Sequence, residues 1–398
     1  MRNKWTLIFF FITGSLSIEK AVWPVNMNYE VRKLDTRSSN LRKFFLISVL
    51  PLTLLLTGCD TNLPQSTLWS AGSVAQSQQD LFYLIFWIAA IIFVIVEGLL
   101  VYIMVRYRTK AGRENDLPEQ THGNTKLEIG WTILPVLVVI AVTIPTIRGI
   151  AETYEPPKAL ADSPSITVDV VGHQWWWEYR YLNTDGDVDF ITANEMHIPV
   201  DTVVKLRLYS DDVIHSFSIP RLAGTRDAVP GRENIMWFDA KETGIFVGQC
   251  KEFCGDSHAL MKTIVVAHNA GDYLEWSEIQ RSGNENVAVE SNAGWGLFES
   301  KGCVGCHTIK GTTALGEIGP DLTHFGSRLT IASNALHKGK EGVTFTEFFD
   351  NPTKDPEHIN LKRWLQHPPE VKPGSLMPAL GITDDEADIL ADFLENLK

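Results

Sequence analysis

Two stretches concentrate side chains that can do chemistry. The first is Gly248-Gln-Cys250-Lys-Glu252-Phe-Cys254-Gly-Asp-Ser-His258-Ala-Leu-Met261. It brings two thiols, an imidazole and a thioether into one short run, and His215 adds an imidazole upstream in Val213-Ile-His215-Ser-Phe-Ser. Soft sulfur with imidazole is a ligand set for copper or zinc. The thioether tips the choice to copper, where it is a familiar axial ligand. The other reading, a Cys250–Cys254 disulfide, leaves His258 and Met261 without a role. The second stretch is Cys303-Val-Gly-Cys306-His307, a C-x-x-C-H run. That pattern attaches c-type haem: both cysteines form thioethers and the histidine is an axial ligand. Without the histidine, the spacing would equally suit a redox pair or half a zinc site. Met377, on the Pro-Gly loop Lys372-Pro-Gly-Ser-Leu-Met377-Pro378, supplies a sixth ligand. His/Met ligation is the electron-transfer arrangement and raises the potential. Met377 as packing filler is the competing reading. His324, His337, His358 and His367 are competing ligands, each in polar, loop-like sequence.

The elements that must position these residues follow from composition and patterning. The chain has 398 residues and a net charge of −13, with 44% hydrophobic residues. That excludes a disordered chain and argues against nucleic acid as a partner, which needs a basic face. Residues 1–58 carry eight Lys/Arg against three Asp/Glu and the remainder 27 against 45, so the average hides a basic leader and an acidic body. Arg37, Arg42 and Lys43 precede an apolar run that ends Leu56-Thr57-Gly58-Cys59, the layout of an export signal. This ending resembles a bacterial lipobox, which makes Cys59 the lipidated first residue of the mature chain; a plain signal peptide is the alternative. Residues 5–18 form a further apolar stretch without an assigned role, and Met27 is an alternative start.

Runs at 81–105 and 131–147 are long and apolar enough for membrane helices, which need about 20 such residues. The loop between them holds Arg106, Arg108, Lys110, Arg113 and Lys126, so it stays cytoplasmic and both mature ends lie outside. Glu97 sits inside the first run, where a structural hydrogen bond to a partner helix is its plain role. From about 165 to 268, short alternating runs at 166–171, 203–209, 234–238, 244–247 and 262–267 read as strands of a sandwich or barrel. A polar linker follows, with a helical stretch at 272–281. Thr383 and Glu386 then form a capping box for a terminal helix carrying Ile389, Leu390, Phe393 and Leu394. The expected domains are a leader (1–58), a short exported segment (59–80), a first membrane helix (81–107), a loop (108–126) and a second membrane helix (127–150). A β domain (151–268), a linker (269–290) and a haem domain (291–398) complete the chain.

Over roughly 75–268 the chain resembles subunit II of haem-copper cytochrome c oxidases. The resemblance rests on the His215 loop, Pro230-Gly-Arg-Glu-Asn, C-x-E-x-C-x-x-x-H-x-x-M, Gly172-His-Gln-Trp175-Trp-Trp177 and the order of two membrane helices before a β domain. It implies a two-helix transmembrane hairpin and an all-β cupredoxin-like Greek-key domain. It also implies a dinuclear CuA centre, with Cys250 and Cys254 bridging two coppers, His215 and His258 binding one each, Met261 binding weakly and Glu252 contributing its backbone carbonyl. The Glu252 side chain would reach a magnesium shared with subunit I. Trp175 would be the surface aromatic through which electrons enter, with Trp176 and Trp177 as packing. Glu128, in Glu128-Ile-Gly-Trp131, matches the carboxylate at the mouth of the proton channel into subunit I.

Residues 291–398 resemble an all-α class I cytochrome c, with Gly319-Pro320 similar to the segment whose proline carbonyl holds the axial histidine. The fusion is that of a caa-type oxidase in the bacterial inner membrane, with both redox domains on the periplasmic side. The implied partners are subunit I with haem a and CuB, subunit III, membrane lipid, and a donor such as a cytochrome bc complex or a small cytochrome c. The implied activity is electron delivery for oxygen reduction coupled to proton translocation. The alternatives are the CuA-bearing subunit of a nitric oxide reductase and a membrane-tethered carrier without an oxidase partner. A quinol oxidase subunit II would lack the copper ligands present here.

Overall fold

The computed structural model describes residues 63–109, 112, 120, 122–160, 163–282 and 289–398. Cys59, the leader and most of the 110–121 loop lie outside the described residues.

Among the described residues, two helices, α1 (Ser73–Arg106) and α2 (Thr125–Tyr154), are long and apolar enough to cross a membrane. The first begins well before the apolar run expected at 81–107, because Asp239 caps it from the β domain. Its carboxylate accepts from Ser73 N at 2.6 Å and from Ser73 Oγ at 2.7 Å. The segment expected as 59–80 therefore ends inside a helix. Asn124 caps α2, accepting from Lys126 N and Leu127 N at 3.1 and 3.3 Å. This helix outruns the expected 127–150 at both ends, and Glu152 O accepts from Trp237 Nε1 at 2.8 Å, tying its outer end to the β domain.

Among the described residues of the β domain, ten strands form two sheets. They are β1 (Ser165–His173), β2 (Trp176–Leu182), β3 (Val188–Ala193), β4 (Glu195–Pro199), β5 (Val203–Ser210), β6 (His215–Ser218), β7 (Thr225–Ala228), β8 (Asn234–Phe238), β9 (Gly244–Cys250) and β10 (Lys262–His268). One sheet runs β3-β2-β1-β5-β8 and the other β4-β10-β9-β6-β7. The pairs β1–β5 and β4–β10 are parallel and the rest antiparallel. Alternate side chains from both sheets, among them Trp177, Tyr179, Phe217, Phe238 and Phe246, fill the space between them. Strand β2 shows why: its burial alternates along Trp176–Leu182.

Part of the linker expected at 269–290 is helical. Helix α3 (Ala270–Arg281) is capped by Asn269, and its Trp276 stacks on His197 at 4.3 Å, so it packs on the β domain. The haem unit has α4 (Ala293–Ser300), a two-residue ladder of β11 (Thr330–Ile331) with β12 (Leu336–His337), α5 (Phe345–Asp350), α6 (Ile359–Gln366), α7 (Pro368–Val371) and α8 (Asp384–Glu395). Helices α4 and α8 pack closely at Gly294, where a Cβ would lie 2.4 Å from Phe393 Cβ. The Thr383–Glu386 capping box starts α8.

Candidate metal and haem sites

The end of β9 supplies Cys250 and the start of β6 supplies His215. The two strands pair at Phe217 and Cys250, so the sheet itself brings these ligands together. The connection from β9 to β10 then turns back on itself, with Cys250 N donating to Met261 O at 2.9 Å. That turn returns Cys254, His258 and Met261 to the same end of the sandwich. The two sulfurs are 3.8 Å apart and unbonded, against about 2.05 Å for a disulfide. Cys250 Sγ lies 3.9 Å from His215 Nδ1 and 3.2 Å from Glu252 O. Cys254 Sγ lies 3.5 Å from His258 Nδ1 and 3.9 Å from Met261 Sδ. Each sulfur thus has its own imidazole, and each has one further weak donor. The expected six ligands all converge, while the exposed Phe253 beside Glu252 points away.

The electrostatics suit cations. Hydrogen bonding to Cys254 and to His215 lowers the Cys250 thiol to about 4, and Cys254 beside that thiolate is pushed well up. Without metal the pair keeps one proton between two sulfurs, and bound cations would release it. Against the cost of its burial, His215 is raised by Asp212, whose Oδ1 lies 2.7 Å from its Nε2. That contact leaves Nδ1 turned to the sulfurs, which is how an outer carboxylate orients a metal-binding imidazole. The donor set and its orientation fit copper.

Sequence reasoning missed Asp212 and Gln174. Asp212 Oδ2 also accepts from Gln174 N at 2.5 Å, and Gln174 Nε2 donates to Cys254 O at 2.7 Å. Only the i, i−3 spacing of Asp212 from His215 hinted at the first. Trp175 is not a surface aromatic here: it is 8% exposed. Its Nε1 donates to Cys254 O at 2.9 Å, and its ring is covered by the haem unit's own loop, where a Cβ on Gly374 would lie 2.6 Å from Cη2. Trp177 is fully buried, and Trp176 stacks on His173 at 4.2 Å.

In the haem unit, α4 leads into a 3-10 turn at Cys303–Gly305, so Cys303, Cys306 and His307 share one wall of an apolar cavity. Phe298, Phe325, Leu390 and Met377 line it as well. His307 Nδ1 donates to Pro320 O at 2.8 Å, which leaves Nε2 free to bind iron. Burial holds this imidazole below its usual pKa, hence neutral and ligand-competent. A Cβ on Gly319 would lie 2.6 Å from His307 Cε1, so glycine is what admits the ring. This cradle fits a haem. The competing histidines do not line the cavity. Two of them are also not the polar loop residues expected: His324 is buried with Nε2 3.0 Å from Ser282 O, and His337 is buried on Phe348.

Comparison with known proteins accounts for this pairing of sites. Residues 63–148 match the transmembrane domain and 184–268 the periplasmic domain of cytochrome c oxidase subunit II, and 291–398 match cytochrome c. Cytochrome c oxidase subunit 2 of Alkalihalophilus pseudofirmus is 34% identical over 87% of this chain and 95% of its own length. The chain belongs to the cytochrome c oxidase subunit II family.

The subunit II of Bacillus subtilis is 32% identical over 90% of this chain and 98% of its own. Quinol oxidase subunit 2 of Bacillus cereus is 32% identical over 63% of this chain and 86% of its own, a smaller share of this chain than the Alkalihalophilus pseudofirmus and Bacillus subtilis subunits cover. Membership makes this chain a membrane-bound subunit of an oxidoreductase with an electron-transfer role, and it implies copper, haem c and association with subunit I. The hairpin, the β sandwich and the cytochrome c domain are the three parts expected of a subunit II extended in this way. Glu97 and Glu128 lie on α1 and α2, Glu128 in the first turn of its helix.

Proposed function

We propose that this chain is subunit II of a caa-type oxidase, taking electrons at its covalent haem and passing them through a dinuclear CuA centre to haem a of subunit I. The observation that carries the reading is Trp175, which hydrogen-bonds the carbonyl of a copper ligand and lies against the loop that bears Met377. Bound at these sites, the copper pair and the haem supply one-electron redox chemistry. The residues do the rest. Cys250, Cys254, His215, His258, Met261 and the Glu252 carbonyl would hold the copper pair. Because the sandwich and the Asp212 contact fix those groups in advance, a change of charge at the centre moves them little. Cys303 and Cys306 would hold the haem by thioethers, His307 and Met377 would bind its iron, and the Pro320 carbonyl would fix the histidine's tautomer.

The Glu252 side chain, free of the copper cluster, would face subunit I and magnesium. Glu128 would stand at the mouth of the proton channel that couples oxygen reduction to proton translocation. Arg106, Arg108 and Lys126 at one end of the hairpin support a cytoplasmic location for that end; both redox units would then lie outside, on the periplasmic side of the inner membrane. Cys59 would add a lipid anchor. Subunit III and a cytochrome bc complex or small cytochrome c donor complete the assembly.

The test is purification of the complex from its native membrane. A low-spin c-type haem spectrum, a near-infrared CuA band and oxygen consumption are expected, with a large haem a subunit co-purifying. Nitric oxide consumption in place of oxygen consumption would transfer the chain to a nitric oxide reductase. Absence of the haem a partner would leave a tethered carrier.

A further inference from the structure

The seam between the β domain and the haem unit holds two charged groups that neither the copper nor the haem needs. Glu195, the first residue of β4, is 1% exposed. Its Oε1 accepts three hydrogen bonds, all from the haem unit: Leu329 N at 2.8 Å, Thr330 N at 2.6 Å and Thr330 Oγ1 at 2.6 Å. Lys372, on the loop that leads to Met377, is 4% exposed. Its Nζ donates across the seam to Trp175 O and, within its own unit, to Ala332 O at 3.0 Å. Neutral bonds run between them. Lys262 N donates to Ser333 O at 3.0 Å, Ser333 Oγ to Lys262 O at 2.7 Å, and Ser257 Oγ to Pro373 O at 2.6 Å. Residues 332–334 all have positive φ, a tight left-handed turn that presents Ser333 to β10.

Buried charges of this kind select geometry more than they add strength. A slipped or rotated seat would strip Glu195 Oε1 of its three hydrogen bonds and Lys372 Nζ of its bond to Trp175 O, leaving two buried polar groups with only Ala332 O and the His197 contact beside them. In the observed seat Glu195 Oε1 and Lys372 Nζ both have partners across the seam, while Glu195 Oε2 lies 3.9 Å from His197 Nε2 without a hydrogen bond, and the 372–374 loop lies on Trp175.

We propose that Glu195 and Lys372 are positioning residues that lock the haem unit in a single seat on the copper-bearing domain, closing the Trp175 face to any diffusible redox protein. The consequence for electron delivery, though not the lock itself, rests on the function proposed above. An outside donor then meets the haem unit, and the step from haem to copper runs over one fixed geometry.

The test uses the full chain, loaded with haem and copper, in Glu195→Ala and Lys372→Met variants. Haem and copper spectra first establish that both units are folded. If Glu195→Ala fails that check, Glu195→Gln takes its place. Hydrogen–deuterium exchange then reads the seat directly. The Leu329 and Thr330 amides and segment 172–177 are protected in the wild type and lose that protection in both variants. Flash reduction of the haem reads the geometry: transfer to copper slows by about tenfold or more, as small displacements of reacting groups do. Wild-type protection and wild-type rates in folded variants would overturn the proposal, as would unprotected Leu329 and Thr330 amides in the wild type. Protected amides with no electron passing from haem to copper in the wild type would uphold the lock and overturn the proposed function.

Discussion

Two glycines in one helix should respond with opposite signs to the same substitution. Gly294 and Gly296 both lie in α4, two residues apart. A Cβ at Gly294 would meet Phe393 Cβ at 2.4 Å and the Ile389 carbonyl at 3.1 Å, whereas a Cβ at Gly296 meets nothing within 4 Å. Alanine at 296 gains helix propensity of up to about 1 kcal/mol. At 294 the obstruction is a Cβ and a backbone oxygen, neither of which can rotate away, so the helices must separate. Overpacking of that kind costs about 1–3 kcal/mol. The propensity gain in the first turn offsets only part of it, so Gly294→Ala should destabilise by about 1–2 kcal/mol. At about 4–8 °C per kcal/mol for a unit of this size, the two variants should melt on the order of 10 °C apart on either side of the wild type. Thermal unfolding followed by haem absorbance measures this. Equal shifts in one direction, or Gly294→Ala as stable as the wild type, would refute the packing argument.

Three further outcomes are expected. Asp212→Ala frees the His215 ring and should weaken copper binding by about 10–100-fold, measured by competition with a chelator; unchanged affinity would remove Asp212 from the site. Met377→Ala should keep the haem covalently attached but open its sixth position to added imidazole, seen as a spectral change; an unaltered spectrum would make Met377 packing and require another ligand. Burial, reinforced by His197, lowers His268 to about 4. Its neutral form is therefore favoured by folding, and the associated stability is present above the unfolded value near 6.5 and lost as pH falls through 4. The stability difference between wild type and His268→Gln should shift steadily over that window, and a pH-independent difference would contradict it.

Much of this was legible because the chemistry is local in sequence. Cys250 to Met261 is one hairpin connection and Cys303 to His307 one turn, so spacing pointed to a soft-metal site and a haem attachment there, while the part of Glu252 came only from the family resemblance. The membrane helices announced themselves by apolar runs, although the start of α1 did not: residues 73–80 are mostly polar, with only Val74 and Ala75 apolar, and their first turn is capped by Asp239, far along the chain. Strand β2 alternates in burial, yet its Trp, Tyr, Glu and Arg side chains read first as an aromatic run. Strand β4 is five residues long and has too few alternations to stand out. The burial of Trp175 was not legible at all. It depends on Lys372 and Gly374, which meet it only once both units have folded, and Glu195 is separated from its partners by the whole second half of the β domain and the linker.

The central claim is that one chain holds a two-copper centre and a covalent haem beside each other. Electron paramagnetic resonance of the native complex, with copper and haem quantified on the same sample, tests it most directly. The account predicts one covalent haem c and an unpaired electron shared by two equivalent copper nuclei, with the copper signal lost and the haem kept in Cys250→Ser. A signal from a single copper nucleus, or Cys250 and Cys254 joined as a disulfide with no copper bound, would contradict it.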